Sequence, residues 1–294
     1  MSSSTIAQGT AWPPRHGAPP SPNQPFGAHL RHWRQHRRLS QLGLAQEADI
    51  STRHLSYVET GRAMPSREMV LRLAERLSVP LRERNALLVA AGYAPMYRQR
   101  ALDDPALDAA RRAVDLVLKG HEPFPALAVD RHWNLVAANA VLPRLLEGAA
   151  AELLAPPVNV LRLSLHPQGL APRIVNLGQW RAHLLERLEQ QVAATGDETL
   201  AALRAELAAY PVPEGGDAPS ADRSLAGVVV PLQLRSAAGV LSFISTTTIF
   251  GTPVDVTLQE LAVESFFPAD AATAAALAAL HASAGAAAGS AATA

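Results

Sequence analysis

The sequence contains no cysteine. Disulfide bonds, thiolate zinc sites and cysteine nucleophiles are therefore excluded. The sequence also has no Gly-x-Ser-x-Gly elbow, no phosphate loop ending in Gly-Lys-Ser/Thr, no Gly-x-Gly-x-x-Gly fingerprint and no His-Glu-x-x-His metal motif. Asp130, His132 and Ser242 are the residue types of a hydrolytic triad, but nothing in the sequence brings them together. We therefore expect neither an enzyme nor a bound cofactor.

Long apolar runs are also lacking. The first residues hold Ser, Pro and Gly without the apolar stretch of a secretory signal. The most apolar segment, 271–289, consists mainly of small alanines interrupted by glycine, and it is too weakly apolar to enter lipid. The sequence therefore predicts a cytoplasmic protein that does not enter the membrane.

Lysine is almost absent, since Lys119 is the single one, and the formal net charge is zero. The charges are unevenly distributed along the chain. Residues 1–100 carry 14 arginines and 6 acidic residues, a balance of +8, whereas residues 101–294 have a balance of −8. A basic half beside an acidic half indicates an anionic polymer as the partner of the first half only.

The length of 294 residues favours two domains. Residues 1–24 are rich in Pro, Ser and Gly and are predicted to form a disordered arm. Helical periodicity fills 25–93, and a stretch with proline, several arginines and Asp-Asp-Pro marks 94–106 as a linker. Residues 107–282 are predicted to form the second domain, and the Ala/Gly/Ser-rich stretch 283–294 a disordered tail.

In the first domain we predict five short helices, of which the second and third form a helix-turn-helix. Apolar residues at helical spacing within 41–48 form the first member of the pair. Residues 49–51 break the pattern, and residues 52–59 form a second short helix that Gly61 is well placed to end. Two short helices joined by a tight turn, the second with a polar outer face, suit insertion into a DNA major groove.

The outer face of that second helix is the candidate DNA-reading surface. Leu55 and Val58 must face the bundle, which turns four polar side chains outward. Arginine can make a bidentate contact to guanine, short hydroxyls reach base edges, and tyrosine reaches a phosphate or sugar. The candidate base readers are Thr52, Arg53, Ser56 and Tyr57. The candidate phosphate contacts are Gln41, Arg37, Arg38 and Arg62.

Arg34 and Glu59 have a predicted structural role. Arg34 falls on the inner side of the first helix, and Glu59 lies at the end of the third. A partly buried, bidentate arginine–carboxylate pair would tie the recognition helix to the bundle.

Three histidines recur on the first helix. His29, His32 and His36 stand at i, i+3 and i+7, so they can share one face and hold a metal. A solvated basic face near DNA is the favoured interpretation, and we predict no metal site.

These motifs resemble the XRE-type helix-turn-helix family of phage-repressor-like regulators over about residues 26–90. The resemblance rests on the motifs Leu30-Arg31…Arg34, Leu39-Ser40-Gln41…Leu44-Ala45, Leu55-Ser56…Glu59-Thr60-Gly61-Arg62 and Pro65-Ser66. It implies base reading by the four outward residues named above, a phosphate contact at Gln41 and a salt bridge between Arg34 and Glu59. Gly43 departs from the family pattern and weakens its helix by roughly 1 kcal/mol.

From Pro123 onward the helical pattern gives way to strand-like segments. Residues 126–138 read as a hairpin, and 158–165 and 173–209 are mainly helical by their apolar spacing. Three strand-like runs follow, at residues 228–234, 240–248 and 256–267. The pattern predicts a mixed sheet with helices on one face.

This half is similar to the ligand-binding part of MmyB-like regulators. The resemblance rests on Pro123-x-Pro125-Ala126-x-x-x-Asp130-x-x-Trp133-x-x-x-x-x-Asn139, Asn159-x-x-Arg162, His166-Pro167 and Phe266-Phe267-Pro268-Ala269-Asp270. It implies a PAS-like domain with a pocket for a small, apolar, fatty-acid-like ligand. The predicted fold class is α+β, with an N-terminal all-α five-helix DNA-binding bundle and a C-terminal PAS-like mixed α/β domain.

The sequence indicates the residues of the ligand site less clearly than those of the DNA-reading surface. Arginine or histidine can meet a carboxylate head group, and small residues leave volume in a core. The candidates are Asn139, Arg162, His166, Arg173 and Trp180. One alternative is an ordinary packed core with these cations on the surface. Another is that the second domain serves only for dimerisation or protein interaction, without a ligand. The expected partners are a double-stranded DNA operator, the apolar ligand and a second copy of the chain, which places the protein with the nucleoid.

Overall fold

The computed structural model describes residues 24–101, 104–211, 229–249 and 255–291, with side chains described as far as residue 282. The chain divides into two compact units, Met1–Ala94 and Pro95–Ala294. Apart from residue 24, the predicted disordered arm lies outside the described residues. None of the helices in the described ranges combines the length and the apolar character needed to cross a bilayer.

The first unit is a bundle of short helices around one apolar core. Its largest fully buried side chains, such as Leu30, Leu44 and Leu73, come from three different helices. Three helices begin at a serine whose hydroxyl accepts a hydrogen bond from the N–H three residues on. The helices are α1 (Phe26–His36), α2 (Gln41–Glu47), α3 (Thr52–Glu59), α4 (Arg67–Arg76) and α5 (Leu81–Ala90).

Gly27 allows α1 to pack directly on the end of α3. A Cβ atom at this position would lie 2.3 Å from the carbonyl oxygen of Glu59 and 2.7 Å from that of Val58. Both are backbone atoms, so no side-chain rotation relieves the overlap. The close approach of these two helices therefore requires glycine at position 27.

The second unit contains one five-stranded sheet. Its strands are β1 (Ala126–Val129), β2 (Leu135–Ala138), β3 (Leu232–Ser236), β4 (Gly239–Ile249) and β5 (Ala262–Pro268). They are ordered β2-β1-β5-β4-β3, and every neighbouring pair is antiparallel. The α+β class is confirmed. The expectation of a mixed sheet is wrong, because two hairpins and a central β5 that runs against both neighbours leave no parallel pair.

Helices cover both faces of this sheet, so the expectation of helices on one face is wrong. They are α6 (Asp108–Gly120), α7 (Leu142–Leu145), α8 (Ala151–Leu154), α9 (Val160–Leu165), α10 (Leu177–Thr195), α11 (Glu198–Ala209), α12 (Val256–Gln259) and α13 (Ala271–Ala291). Val114 and Leu118 of α6 pack against one face of β1 and β5, which carries the small side chains Ala126, Ala128 and Val263. The opposite face holds the main core, which includes Leu184 and Leu188 of α10.

Two elements differ from the sequence expectation. The run 256–267 was expected to be one strand, but it forms α12 and then β5, because Asp255 caps a helical turn through the N–H of Thr257. The last helix continues to Ala291, into the stretch for which a disordered tail is expected. Alanine has the highest helix propensity, which accounts for the continuation.

Candidate DNA-reading face and candidate ligand cavity

Helix α3 presents a polar side at the surface of the first unit. Its apolar side chains, Leu55 and Val58, are buried in the core as their spacing predicts. The Ser51 hydroxyl caps the helix, so its first turn is fixed. The four candidate base readers on the other side are exposed (Arg53) or half-buried (Thr52, Ser56 and Tyr57).

Arg53 and Tyr57 contact one another one helical turn apart. Nε of Arg53 donates to the Tyr57 hydroxyl at 3.0 Å, and the guanidinium carbon lies 5.4 Å from the ring centroid. The two Nη groups of Arg53 make no hydrogen bond with the described part of the chain. Tyr57 therefore orients a guanidinium whose two Nη groups, with four N–H donors, can still reach a base edge.

Glu59 joins three helices of the bundle. Its side chain is fully buried, at 0% exposure, and Arg34 donates to it twice, from Nε to Oε1 at 2.6 Å and from Nη2 to Oε2 at 3.0 Å. Gln41 donates to Oε2 at 2.8 Å, and Arg34 Nη1 binds the Leu39 carbonyl at 2.9 Å. The predicted contact between Arg34 and Glu59 is thus part of a larger cluster that holds α1, α2 and α3 together.

The cluster also sets the protonation of Glu59. Burial alone would raise its pKa, but hydrogen bonds from Arg34 and Gln41, with the positive charges of Arg34 and Arg31, outweigh burial. The pKa of Glu59 therefore lies below its ordinary value of 4.5. The carboxylate is ionised at neutral pH, and its charge is balanced inside the bundle.

The candidate phosphate contacts divide into two kinds. Gln41 directs its amide to Glu59, and Arg37 donates to the carbonyls of Leu77 at 2.8 Å and Ser78 at 3.0 Å, the two residues that directly follow α4. These two side chains therefore stabilise the bundle in the described structure. Arg38 and Arg62 are both exposed.

The three histidines of α1 do not share one environment. His29 is buried, whereas His32 and His36 are half-buried with their rings stacked at a centroid distance of 5.9 Å. Within the described residues no group of three or more potential metal ligands comes together.

The second unit encloses an apolar cavity between the sheet and α9 and α10. Its volume is about 90 Å³. An engineered apolar cavity of about 150 Å³ binds benzene, so the space here is the smaller of the two. Its walls include Leu127 and Leu135 of the hairpin and Phe243 of β4. An apolar cavity of this kind excludes water and favours an apolar ligand.

One of the five candidate ligand residues lines this cavity. Trp180 forms part of the wall, and its Nε1 donates to the Ser164 hydroxyl at 3.0 Å. Asn139 instead secures the loop before β1, donating to the carbonyls of Leu118 and Phe124. Arg173 binds the carbonyls of Leu145 and Glu147 at 3.0 and 2.8 Å and lines a separate surface groove.

Arg162 and His166 lie in a polar cluster between α9 and α11, away from the cavity wall. Arg162 forms two hydrogen bonds of 2.8 Å to Glu206, which also accepts from the Tyr210 hydroxyl at 2.6 Å. Burial and the bond to Glu206 raise the pKa of Tyr210 to about 12. His166 packs edge-on against Tyr210 at 5.1 Å. Arg162 and His166 therefore contact protein groups outside the cavity wall.

The charged residues in the cavity wall are Arg187 and Glu264, neither of which is among the five candidates. A signal for both was present. Arg187 lies seven residues after Trp180, on the buried stripe of α10, and Glu264 shares the parity of Phe266 along β5. Spacing alone therefore placed both side chains on the core side of their elements.

Comparison with known families agrees with this division of the chain. Residues 25–87 match the model of a helix-turn-helix domain. Residues 110–280 match the model of the MmyB-like transcription regulator ligand binding domain, over more than half of the chain. The chain belongs to the MmyB-like transcription regulators.

This MmyB-like regulator thus combines a helix-turn-helix domain, which implies DNA as a partner, with a ligand-binding domain, which implies a small molecule. The exposed side of α3 lies inside the first match, and the cavity lies inside the second. No curated protein sequence matches the chain.

Proposed function

We propose that the chain is a dimeric regulator that reads an operator with α3 and changes its DNA affinity when an apolar, fatty-acid-like molecule enters the cavity. In this proposal residues 25–93 form the DNA-binding domain, 94–106 the linker and 107–282 the sensory domain. The apolar cavity inside the matched ligand-binding domain is the observation that carries it. Binding to its operator would place the protein in the cytoplasm, on the nucleoid.

The DNA half of the proposal rests on α3. Its apolar side is buried, and its polar side presents Arg53 supported by Tyr57. We assign base reading to Thr52, Arg53, Ser56 and Tyr57, and phosphate contacts to Arg38 and Arg62. Gln41 and Arg37 are assigned to holding the bundle, because their side chains bind protein groups.

The ligand half rests on the apolar lining of the cavity. Its volume of about 90 Å³ is less than the about 150 Å³ of an engineered cavity that binds benzene, so an alkyl chain would have to widen it on entry. A ligand shifts a regulator only if it binds one of its states better than another, and filling an apolar cavity supplies such a difference.

The dimer in this proposal is formed through α6. One side of this helix carries charges of alternating sign, because its charged residues are spaced four, three and four residues apart. They are Asp108, Arg112, Asp115 and Lys119. In an antiparallel pair of α6 helices, Arg112 meets Asp115 and Asp108 meets Lys119, each twice. Leu116 beside this stripe is 72% exposed, so a second copy would cover it.

The test compares DNA binding with and without extracted ligand. Protein purified from its host is denatured and extracted, and the extract is analysed by mass spectrometry for apolar acids and alcohols. Operator fragments are found by genome-wide pull-down, and their affinity is measured with stripped and reloaded protein. We expect a recovered lipid that changes operator affinity at least about fivefold, in the usual range of allosteric coupling.

The charged side of α6 favours a second candidate function, in which the second unit only forms the dimer. If stripped and untreated protein bind the operator equally, and no lipid is recovered, the second unit serves dimerisation without sensing. A stable dimer that depends on α6 would then support this function.

A further inference from the structure

Three arginines from separate elements line a surface groove in the second unit. The groove has a volume of about 590 Å³ and is larger than the apolar cavity. Arg144 belongs to α7, Arg173 ends the short helical turn Ala171–Arg173, and Arg235 belongs to β3. Glu147 supplies one carboxylate, so the described lining of the groove has a net charge of +2.

None of these three arginines forms an ion pair with a carboxylate of the described residues. Their printed partners are backbone carbonyls or, for the third, its own main chain only. Elsewhere in the unit Arg131, Arg162 and Arg187 each have a carboxylate partner. Residues 101–294 carry an excess of acidic side chains. Arginines that nevertheless meet in one groove without a carboxylate partner point to an anion from outside the chain.

Backbone carbonyls position two of the guanidinium groups. Nη1 of Arg144 donates to the carbonyl of Leu280 in α13. Arg173 donates from Nε to the carbonyl of Arg235 at 3.1 Å, and from Nη1 to two carbonyls at and just after the end of α7. Within the described ranges, Nη2 of both Arg144 and Arg173 has no acceptor. The two groups are therefore held in place and keep donors for a ligand.

The chemistry of the groove fits a phosphate monoester. A guanidinium binds the oxygens of a phosphate or a carboxylate through parallel hydrogen bonds. A phosphate monoester carries a charge of about −1.5 to −2 at pH 7 and presents three acceptor oxygens. A carboxylate carries a single charge, so the phosphate is the better match for the net charge of the groove. Leu145, Leu280 and the two alanines of the β3–β4 turn offer apolar contacts for the esterified carbon chain.

We propose that this groove is a binding site for a small phosphate monoester and that Arg144, Arg173 and Arg235 hold its phosphate. The site requires no ligand in the apolar cavity, so it goes beyond the proposed function. Each arginine contributes donors from a different element, and the phosphate is the group that joins them.

The groove shares two of its elements with the apolar cavity. Leu145 of α7 lines both, and Leu234 of β3 lines the cavity one residue before Arg235. A phosphate bound by Arg144 and Arg235 would tie α7 to β3 and restrain two walls of the cavity. Occupation of the groove should therefore slow backbone hydrogen exchange in α7 and β3.

The test is calorimetric titration of the full chain with glycerol 3-phosphate, glycerate and glycerol at constant ionic strength. For the wild type we expect glycerol 3-phosphate to bind more tightly than glycerate, and glycerol to give no binding. Arg235→Gln should weaken binding of glycerol 3-phosphate about tenfold, as for loss of a charged hydrogen bond. The Arg235 side chain is exposed and has no partner among the described residues, so this variant should fold.

Three further variants act as controls. Glu147→Gln removes the carboxylate from the described lining and should strengthen binding of glycerol 3-phosphate. Arg235→Lys keeps the charge without the planar fork, so its affinity should lie between those of the wild type and Arg235→Gln. Arg98→Gln removes an exposed arginine of the same unit that does not line the groove, and it should leave the affinity unchanged.

The outcomes distinguish this site from other sources of phosphate binding. Equal affinity for glycerol 3-phosphate and glycerate, unchanged in Arg235→Gln, would overturn the site. Binding lost in Arg62→Gln but kept in Arg235→Gln would assign the phosphate to the first unit instead. Binding to phosphatidate vesicles without binding of glycerol 3-phosphate would overturn it in favour of a membrane surface. Failure of every probe to bind would also overturn it, and would leave the proposed sensing of an apolar ligand intact.

Discussion

Arg34 and Glu59, which are 25 residues apart in the sequence, meet in a bidentate ion pair that joins α3 to α1. The arginine is 11% exposed and the carboxylate is fully buried. Such a pair is expensive to break from one side, because the remaining charge has no equivalent partner.

Removing either partner should therefore destabilise the first unit. We expect Arg34→Ala or Glu59→Ala to lower its free energy of unfolding by about 3–5 kcal/mol. Chemical denaturation of the two single variants and the double variant measures their coupling. Equal and additive losses would show that the two side chains act independently.

Acid should release the same contact. The pKa of Glu59 is lowered in the folded protein, so the unfolded state binds the proton more readily. Its contribution is complete above the ordinary value of 4.5 and is lost as pH falls through the lower folded pKa. Denaturation between pH 6 and 3 should show this loss, with a shallower acid slope in Glu59→Gln, where the charge is absent at every pH.

Two glycines offer a matched comparison in the first unit. Gly27→Ala places a methyl 2.3 Å from a backbone oxygen of Glu59, and we expect it to cost about 1–3 kcal/mol as α1 and α3 separate. At Gly43 the nearest atom to such a methyl is Ser40 Oγ at 3.4 Å, an ordinary contact. Gly43→Ala should instead stabilise α2 by about 1 kcal/mol. Thermal unfolding of both variants measures the difference.

DNA binding should distinguish Arg53, Arg62 and Arg37. Arg53→Ala should reduce specific binding by about 1–3 kcal/mol and relax base preference at one position. Arg62→Ala should weaken binding to all sequences and lower the salt slope by about one unit. Arg37→Ala should act mainly on stability, because its donors bind the end of α4. Fluorescence anisotropy at several salt concentrations measures these effects, and an unchanged Arg53→Ala would exclude it as a base reader.

The proposed α6 dimer makes a charge-reversal prediction. Arg112→Asp places like charges in two symmetric contacts and should raise the dimer dissociation constant about tenfold or more. Arg112→Asp/Asp115→Arg restores opposite charges and should recover the wild-type value. Sedimentation equilibrium measures both, and a double variant as weak as the single one would place the interface elsewhere.

The sequence was most informative where a function needs fixed spacing. Leu55 and Val58 decide which side of α3 is buried, so the outward residues follow from helical geometry. The contacts of Arg37 did not follow from the sequence, because the carbonyls that it binds lie 40 and 41 residues away. A long, flexible side chain near a helix end looks equally suited to a phosphate and to such a carbonyl.

The residues of the cavity show a second reason why a site cannot be predicted from sequence alone. Arg162 and Arg173 were chosen because cations suit a carboxylate head, yet their partners are brought to them by distant segments. Arg187 and Glu264 lie 77 residues apart and meet only because α10 crosses the sheet at β5. Their periodicity shows which side of each element they occupy, whereas their pairing depends on tertiary structure.

The strand order has a consequence for synthesis of the chain. β5 lies between β1 and β4, so the two hairpins cannot join into one sheet until this last strand has left the ribosome. The helices of the first unit, by contrast, are complete by Ala90 and are joined by short connections. A nascent chain is therefore expected to form its DNA-binding head while its sensory sheet is still open, and a chain cut before Ala262 would carry that head without the strand that contributes Glu264.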